Sequence, residues 1–304
     1  MGQEQVYDTV IIGAGPAGVT ASIYAARKKM SLVVIADEIG GQVAKSWEIE
    51  NYTGYQYISG SDLTDKFQEH MEKFGFDYKQ ERVKDVNRTN GEFKVTTDEG
   101  KNYTGKTLIY ATGARAREMG VPGEEQFKNR GVTYCATCDG PLFQGYDVAI
   151  VGGGNSGLEA VIQMSKIAKK VYLIEIMPQL KGDEILVEKV KKLENVEIMT
   201  NAKIVEVRGE MTVNEIDVEH EGQKKKISLQ AIIVEIGYIP NSELVDFVEK
   251  NRWNEIKIDE SCKTNVPGFF AAGDVSSVPV KQIVVAAAEG CKAALTAFDY
   301  LNKM

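Results

Sequence analysis

Thr9-Val10-Ile11-Ile12-Gly13-Ala14-Gly15-Pro16-Ala17-Gly18 is the stretch whose reading decides the fold. An apolar run of strand length meets a GxGxxG pattern. An apolar-periodic stretch from Ala17 to Ala26 follows and reads as a helix. A second apolar run, Leu32 to Ile35, closes at Asp37. Asp37 follows Gly18 at roughly the 20-residue distance at which an acid binds a ribose hydroxyl, and the adjacent Glu38 can serve instead. The glycines have separate jobs. Gly13 makes a tight turn, Gly15 lets backbone approach a pyrophosphate, and Gly18, beside Ala17, lets the helix pack closely. The helix N-terminus then supplies an anion site.

The same order returns further along. Val148 to Val151 reads as a strand, Gly152-Gly153-Gly154-Asn155-Ser156-Gly157 as the turn and Leu158 to Ala168 as the helix. Val171 to Ile174 is the next strand, and Glu175 closes it. One glycine fingerprint is weak evidence. Two complete units, each closed by an acid, predict two nucleotide sites of Rossmann type. Helix-packing glycines alone would not account for the terminal acids.

Between the units lie a helix near Asp62 to Phe74 and strands near Val83 to Val86, Phe93 to Thr96 and Thr107 to Tyr110. After the second come a helix near Glu184 to Leu193 and strands near Val196, Ile204, Ile216 and Ile232. A long helix from about Ile283 to Leu301 ends the chain. The expected class is α/β, with two Rossmann-like three-layer domains, the second inserted into the first. The first covers residues 1–115 and 245–304, the second 116–244. Two crossings make a natural hinge pair, so relative rotation of the domains is expected.

Cys135-Ala136-Thr137-Cys138-Asp139-Gly140 precedes the second glycine loop. Four cysteines in a chain of 304 residues are no disulfide scaffold, and one close pair reads as redox-active or metal-binding. With two histidines and no second close cysteine pair, a zinc set is not expected. Cys262 and Cys291 read as free structural thiols, and His70 and His220 have no chemical role. A redox dithiol between two dinucleotide-type loops reads as an electron relay from nicotinamide to flavin to disulfide.

Composition bounds the partners. Hydrophobic content is 43%, charged content 26% and net charge −8, so a nucleic-acid partner is not expected. The longest apolar runs are too short to span a bilayer. No cleavable leader is visible, and Val6 stands where myristoylation needs Ser or Thr, so the expected location is cytoplasmic.

The chain resembles the low-molecular-weight thioredoxin reductase family of flavoproteins. The likeness rests on Gly13 to Gly18, Gly40-Gly41-Gln42, Glu50-Asn51-Tyr52 and Ala111-Thr112-Gly113-Ala114. It continues through Cys135 to Gly140, Gly152 to Gly157, Gly273-Asp274 and Lys281-Gln282-Ile283. The resemblance implies FAD in the first domain, reduced nicotinamide in the second, and a homodimer. It implies flavin contacts from Gly41, Gln42, Asn51, Ala111, Thr112 and Gly113. It also implies Gly273 and Asp274 at the ribityl chain, with Lys281, Gln282 and Ile283 near the isoalloxazine. Cys138 would face the flavin, and Cys135 would attack a partner's disulfide. Asp139 would manage protons, its alternative being a turn role with Gly140. The absence of histidine after His220 sets the chain apart from larger disulfide reductases, which use one as base.

One branch is more similar still. Gly131 to Cys135, Cys138 to Phe143, Gly152 to Ala160, Glu175, Pro178 and Ala297 to Leu301 are similar to the flavoprotein component of alkyl hydroperoxide reductase. That component carries a further N-terminal redox region. This chain starts at the first glycine loop, which leads to the expectation that electrons leave to a separate protein, thioredoxin-like, glutaredoxin-like or peroxiredoxin. Glu175-Ile176-Met177-Pro178 stands where NADPH-dependent members carry basic residues. A carboxylate suits two free ribose hydroxyls and repels a 2′-phosphate. NADH is therefore expected, with Lys181 as the basic residue that would rescue NADPH. A regulatory nucleotide-binding protein without turnover would need no dithiol, and a ferredoxin-driven reductase would not need the second glycine loop.

Overall fold

Two-residue alternation of side chains builds the main sheet of the first unit. In the computed structural model, which describes residues 5–46 and 48–304, Val10, Ile12, Val33, Ile35, Leu108 and Tyr110 belong to one core, and Ile11, Val34 and Ile109 to the other. Both faces are covered, so the strands read as near-continuous apolar runs. Val6–Ala14 lies parallel to Leu32–Ile39 on one side and to Asn102–Tyr110 on the other. Asp77–Gln80 extends the parallel set beyond Leu32–Ile39. The strand Asn102–Tyr110 is shared along its length. Its first part pairs antiparallel with Glu92–Thr97, and Leu108 to Tyr110 pair in parallel with Phe269–Ala271. Among the described residues the sheet has seven strands.

The helices Pro16–Arg27 and Ile283–Leu301 share the core of Ile11, through Ala17, Ala21 and Ala25 on one and Ala286, Ala293 and Ala297 on the other. Gly290 sets their approach, since a Cβ there would lie 2.0 Å from the carbonyl oxygen of Ala17. In an exposed helix Gly→Ala gains about 1 kcal/mol. Here the methyl meets backbone, so Gly290→Ala is expected to destabilise by about 1–3 kcal/mol, as overpacking does. A drop in melting temperature of about 5 °C would register it; a rise would refute the packing argument.

The second unit repeats the plan. Five parallel strands stand in the order Val132–Thr133, Ala231–Val234, Asp147–Val151, Lys170–Ile174, Val196–Met199. One face, including Val148, Ile150 and Ile233, shares a core with Leu158, Val161 and Met164 of the helix Asn155–Met164. The other face, including Ala149, Ile232 and Val234, shares a core with Ile204, Val207, Ile216 and Val218. Those residues come from a three-stranded antiparallel sheet, Ala202–Gly209, Val213–His220 and Gln223–Ser228. The helix stops at Met164, short of the expected Ala168. Asn195 Nδ2 donates to the carbonyl oxygens of Ser165 and Ala168 at 2.9 and 3.2 Å, giving them a partner outside the helix.

The chain divides into one compact unit of Met1–Arg115 with Ile239–Met304 and a second of Ala116–Tyr238. Residues 239–244, expected in the inserted domain, therefore belong to the first unit. The carbonyl of Asn241 accepts the hydroxyls of Tyr110 and Thr112 at 3.0 and 2.8 Å, and its side-chain amide donates to Thr112 O at 2.8 Å. Among the described residues no helix is long and apolar enough to cross a membrane.

Candidate active site

The first glycine loop leaves the strand Val6–Ala14 and enters the helix Pro16–Arg27, whose N-cap is Gly15. Gly13 is left-handed, at φ +101°, and a Cβ on it would lie 2.3 Å from Ala111 O. A Cβ on Gly18 would lie 1.8 Å from Gly13 O. Internal packing therefore forbids any side chain at either position. Gly15 differs, because the nearest atom to its Cβ position is Gly40 O at 3.9 Å. Nothing inside the protein demands glycine there, and space remains for an approaching ligand. Gly40 N donates to Ala14 O at 2.8 Å, and a Cβ on Gly41 would lie 3.3 Å from Gly15 Cα. Asp37 and Glu38, near the end of Leu32–Ile39, are both exposed, and Asp37 lies 4.0 Å from Arg82 Nε.

Three further segments of this unit meet nearby. Gln42 Nε2 donates to Ala114 O at 2.7 Å and reaches Asp274 Oδ2 at 3.4 Å. Asn51 Nδ2 donates to Gln282 Oε1 at 3.3 Å. Lys281 Nζ donates to Ser276 O at 2.6 Å and Asp274 O at 3.2 Å, and pairs with Glu255 at 2.9 Å. Gln282 is the N-cap and Ile283 the first residue of the last helix. Burial pushes the Asp274 carboxyl up to about 6. Its bond from Gln42 is long, so it suits closer hydroxyl donors such as those of a polyol chain. Glu289 holds the turn beneath, accepting Gly273 N–H at 2.8 Å and the Ser276 hydroxyl at 3.1 Å. Burial lifts that carboxyl too above its ordinary range.

The second loop repeats the first in its demands. Gly152 is left-handed, at φ +115°, with its Cβ position 2.4 Å from Glu235 O. A Cβ on Gly157 would lie 1.8 Å from Gly152 O, while one on Gly154 would meet nothing within 4 Å. Asn155 clamps the next loop, donating to Asp183 Oδ2 at 3.0 Å and accepting Asp183 N–H at 2.7 Å. Ser156 is exposed in the first helical turn. Glu175, only 7% exposed, accepts Gly153 N–H at 2.6 Å and Met177 N–H at 2.7 Å. The acid expected at a ribose thus also shapes the glycine loop. A carboxylate offers about four acceptor positions, so it can do both. Ile176, Met177 and Lys181 beside it are exposed.

The cysteine pair lies on this second unit. Cys135 and Cys138 are disulfide-bonded, with Cα atoms 5.3 Å apart. The short helix Ala136–Asp139 begins at Cys135, whose Sγ accepts Cys138 N–H at 3.1 Å. The Thr133 hydroxyl donates to the Asp139 carboxylate and lies 3.4 Å from Cys135 N, so one side chain ties acid to cysteine. Ala136, between the cysteines, is held from both sides. Its carbonyl accepts Gln163 Nε2 at 2.9 Å, and its N–H donates to Glu235 Oε1 at 3.2 Å. Burial, with a contribution from the charge of Glu159, pushes Glu235 up to about 7. Sequence reasoning misses Thr133, Gln163, Glu235, Glu255 and Glu289. Glu235 carries a readable signal, because it follows the buried run Ala231–Val234 at the carboxyl end of a parallel strand, where such sheets place their ligands.

The profile of the family described as pyridine nucleotide-disulphide oxidoreductase matches residues 7–290. The F component of the alkyl hydroperoxide reductase of Staphylococcus aureus (strain NCTC 8325 / PS 47) is 43% identical over 302 residues, 98% of this chain and 60% of that protein. A Bacillus subtilis (strain 168) protein named NADH dehydrogenase is 42% identical, over 98% of this chain and 59% of its own. The chain spans about three-fifths of the length of these curated relatives. The crystal structure of thioredoxin reductase from Streptococcus pyogenes MGAS5005 superposes with a TM-score of 0.92 at 36% identity, covering 98% of this chain and 99% of that one.

Proposed function

The chain belongs to the pyridine nucleotide-disulphide oxidoreductase family and is a thioredoxin reductase-like flavoprotein oxidoreductase, and from that premise we propose that it passes electron pairs from NADH through FAD to the Cys135–Cys138 disulfide and on to a thioredoxin-like protein. The observation that carries the reading is the bonded Cys-x-x-Cys seated on a nucleotide fold whose middle glycine, Gly154, is demanded by nothing inside the protein. The flavin, when bound, supplies the two-electron carrier between nicotinamide and disulfide.

The chain's own residues have distinct tasks in this reading. Gly13, Gly15 and Gly18, with the start of the following helix, hold a pyrophosphate in the first unit, and Asp37 or Glu38 takes a ribose. Gly41, Gln42, Asn51 and the Ala111-Thr112-Gly113 turn bound the ring end, with Gln282 and Ile283. Asp274 accepts polyol hydroxyls, fixed by Gly273, Lys281 and Glu289. Gly152, Gly154, Gly157 and the first-turn residues Asn155 and Ser156 hold the nicotinamide nucleotide, with Glu175 on its ribose. Cys138 is the sulfur on the flavin side, and Cys135 attacks the partner. Asp139, held by Thr133, carries the proton that a leaving thiolate needs. A homodimer working in the cytoplasm completes the proposal.

Glu175 sets the nucleotide preference. NADH is expected to be favoured over NADPH by about tenfold or more in kcat/KM, a difference of about 1.4 kcal/mol. Glu175→Ala should narrow that ratio while weakening both nucleotides, because Gly153 and Met177 lose their acceptor. Equal use of both nucleotides by the unaltered protein would overturn the assignment.

The likeness to the F component of alkyl hydroperoxide reductase favours a second acceptor, a glutaredoxin-like protein or peroxiredoxin in peroxide defence. Coupled NADH oxidation with each redox protein separates the two. The thioredoxin-like acceptor is expected to give the higher kcat/KM. A higher value with a peroxiredoxin would transfer the assignment to peroxide defence.

A further inference from the structure

We propose that Glu235 is a positioning residue for the dithiol, a half-buried carboxyl that takes up one proton when the Cys135–Cys138 disulfide opens and so links the redox state to pH. The proposal deepens the disulfide-reductase reading and rests on it. Asp139 already has a hydroxyl partner in Thr133. Glu235 instead accepts the N–H of Ala136, the residue directly after Cys135. Its backbone is equally placed. Its N–H donates to Val151 O at 2.8 Å, and its carbonyl oxygen abuts Gly152, the first glycine of the second loop. One residue thus touches both the nucleotide loop and the cysteine turn of the same unit.

The charges around Glu235 explain its behaviour. Glu159, on the helix Asn155–Met164, opposes its ionisation, as does burial, and the Ala136 N–H favours it. Asp139 lies on the cysteine helix itself. Among the described residues Glu235 makes no salt bridge with a lysine or arginine. A carboxyl held near neutrality in such a place changes charge readily.

The step balances. A donor dithiol breaks the Cys135–Cys138 bond by exchange and itself becomes a disulfide, giving up two electrons and two protons. One protein sulfur leaves as thiol and the other as thiolate. The second proton goes to Glu235, which changes from carboxylate to carboxylic acid. The net charge of the protein site is unchanged, so the new thiolate does not face a second anion. At higher pH Glu235 stays ionised in the reduced state as well, the second donor proton then goes to solution, and like charges disfavour the dithiol. Thiolate formation alone makes reduction of the disulfide easier as pH rises, and proton uptake by Glu235 offsets that rise by linkage.

The test is to equilibrate the flavin-bound protein anaerobically against fixed ratios of reduced and oxidised dithiothreitol between pH 6 and 8, quench with an alkylating reagent, and count thiols. No nicotinamide and no partner protein enter, so failure of the electron relay would not be confused with failure here. Relative to Glu235→Gln, the apparent equilibrium constant of the unaltered protein is expected to fall by about tenfold over this range, the effect of about one unit of linked pKa shift. Glu235→Gln still offers an oxygen to Ala136 N–H, and its own constant should rise with pH, because the second proton goes to solution. Glu235→Ala, which removes that acceptor as well, should rise equally. A Glu235→Gln profile parallel to that of the unaltered protein would overturn the proposal. So would a departure from the unaltered profile that appears only in Asp139→Asn.

Discussion

Cys138→Ser and Cys135→Ser are each expected to lower reduction of a redoxin partner by about a thousandfold or more, while NADH still bleaches the flavin. Exchange proceeds through a thiolate attacking a disulfide sulfur, and a serine hydroxyl can neither form that nucleophile at neutral pH nor carry a mixed disulfide. The two residues act as a unit, so the double variant should be no worse than either single one. Stability should change little, because the closed loop spans only a sequence separation of 3 and constrains little of the unfolded chain. Coupled turnover with a thioredoxin-like protein reads the first effect, and anaerobic flavin absorbance reads the second. A Cys138→Ser protein with a tenth of normal partner reduction would show that electrons leave by another route.

The second large effect separates glycines required by the protein from those required by a ligand. Gly157→Ala places a methyl 1.8 Å from Gly152 O, where backbone cannot yield locally. The helix Asn155–Met164 must then leave the strand Asp147–Val151, at a cost of about 3 kcal/mol or more. Gly154→Ala meets nothing within 4 Å and keeps an ordinary backbone, φ −84° and ψ −177°. Its stability should lie within about 0.5 kcal/mol of the unaltered protein. Its affinity for NADH should nonetheless fall by about tenfold or more, since the methyl fills the space through which backbone would approach a pyrophosphate. Denaturant melts and nucleotide titrations of the pair give the contrast. Full NADH affinity in Gly154→Ala would remove the second loop from the nucleotide site.

Much of the fold is legible because close packing leaves marks in sequence. Gly13, Gly18, Gly152 and Gly157 are glycines for reasons internal to the chain, and the runs Val10–Ile12 and Val148–Val151 are apolar because both sheet faces are covered. Asp77–Gln80 leaves no such mark. Among the described residues it is paired only with Leu32–Ile39, it is half-exposed, and it carries polar residues that conceal its strand character. Gln223–Ser228 hides for the same reason, holding three consecutive lysines at the edge of its sheet.

The site divides in the same way. The glycines, acids and cysteines stand out by spacing, but the residues that hold them do not. Glu289 lies in an alanine-rich helix whose periodicity announces packing and gives no hint that one acid reaches back to Gly273 N–H. The spacing of Glu175 points to a ligand's ribose, and nothing in it tells of the bonds to Gly153 and Met177. Such contacts arise from the folded course of the backbone, where neither period nor motif applies.

The most direct test of the account is anaerobic titration of the purified protein with NADH, following flavin absorbance and alkylatable thiols together. The account predicts uptake of two electron pairs per chain, with flavin bleached and two new thiols at Cys135 and Cys138, whereas Cys138→Ser, whose Cys135 is free from the start, gains no thiol. Flavin bleaching with the Cys135–Cys138 disulfide left intact would contradict it, and would leave a nicotinamide-oxidising flavoprotein that does not use its dithiol.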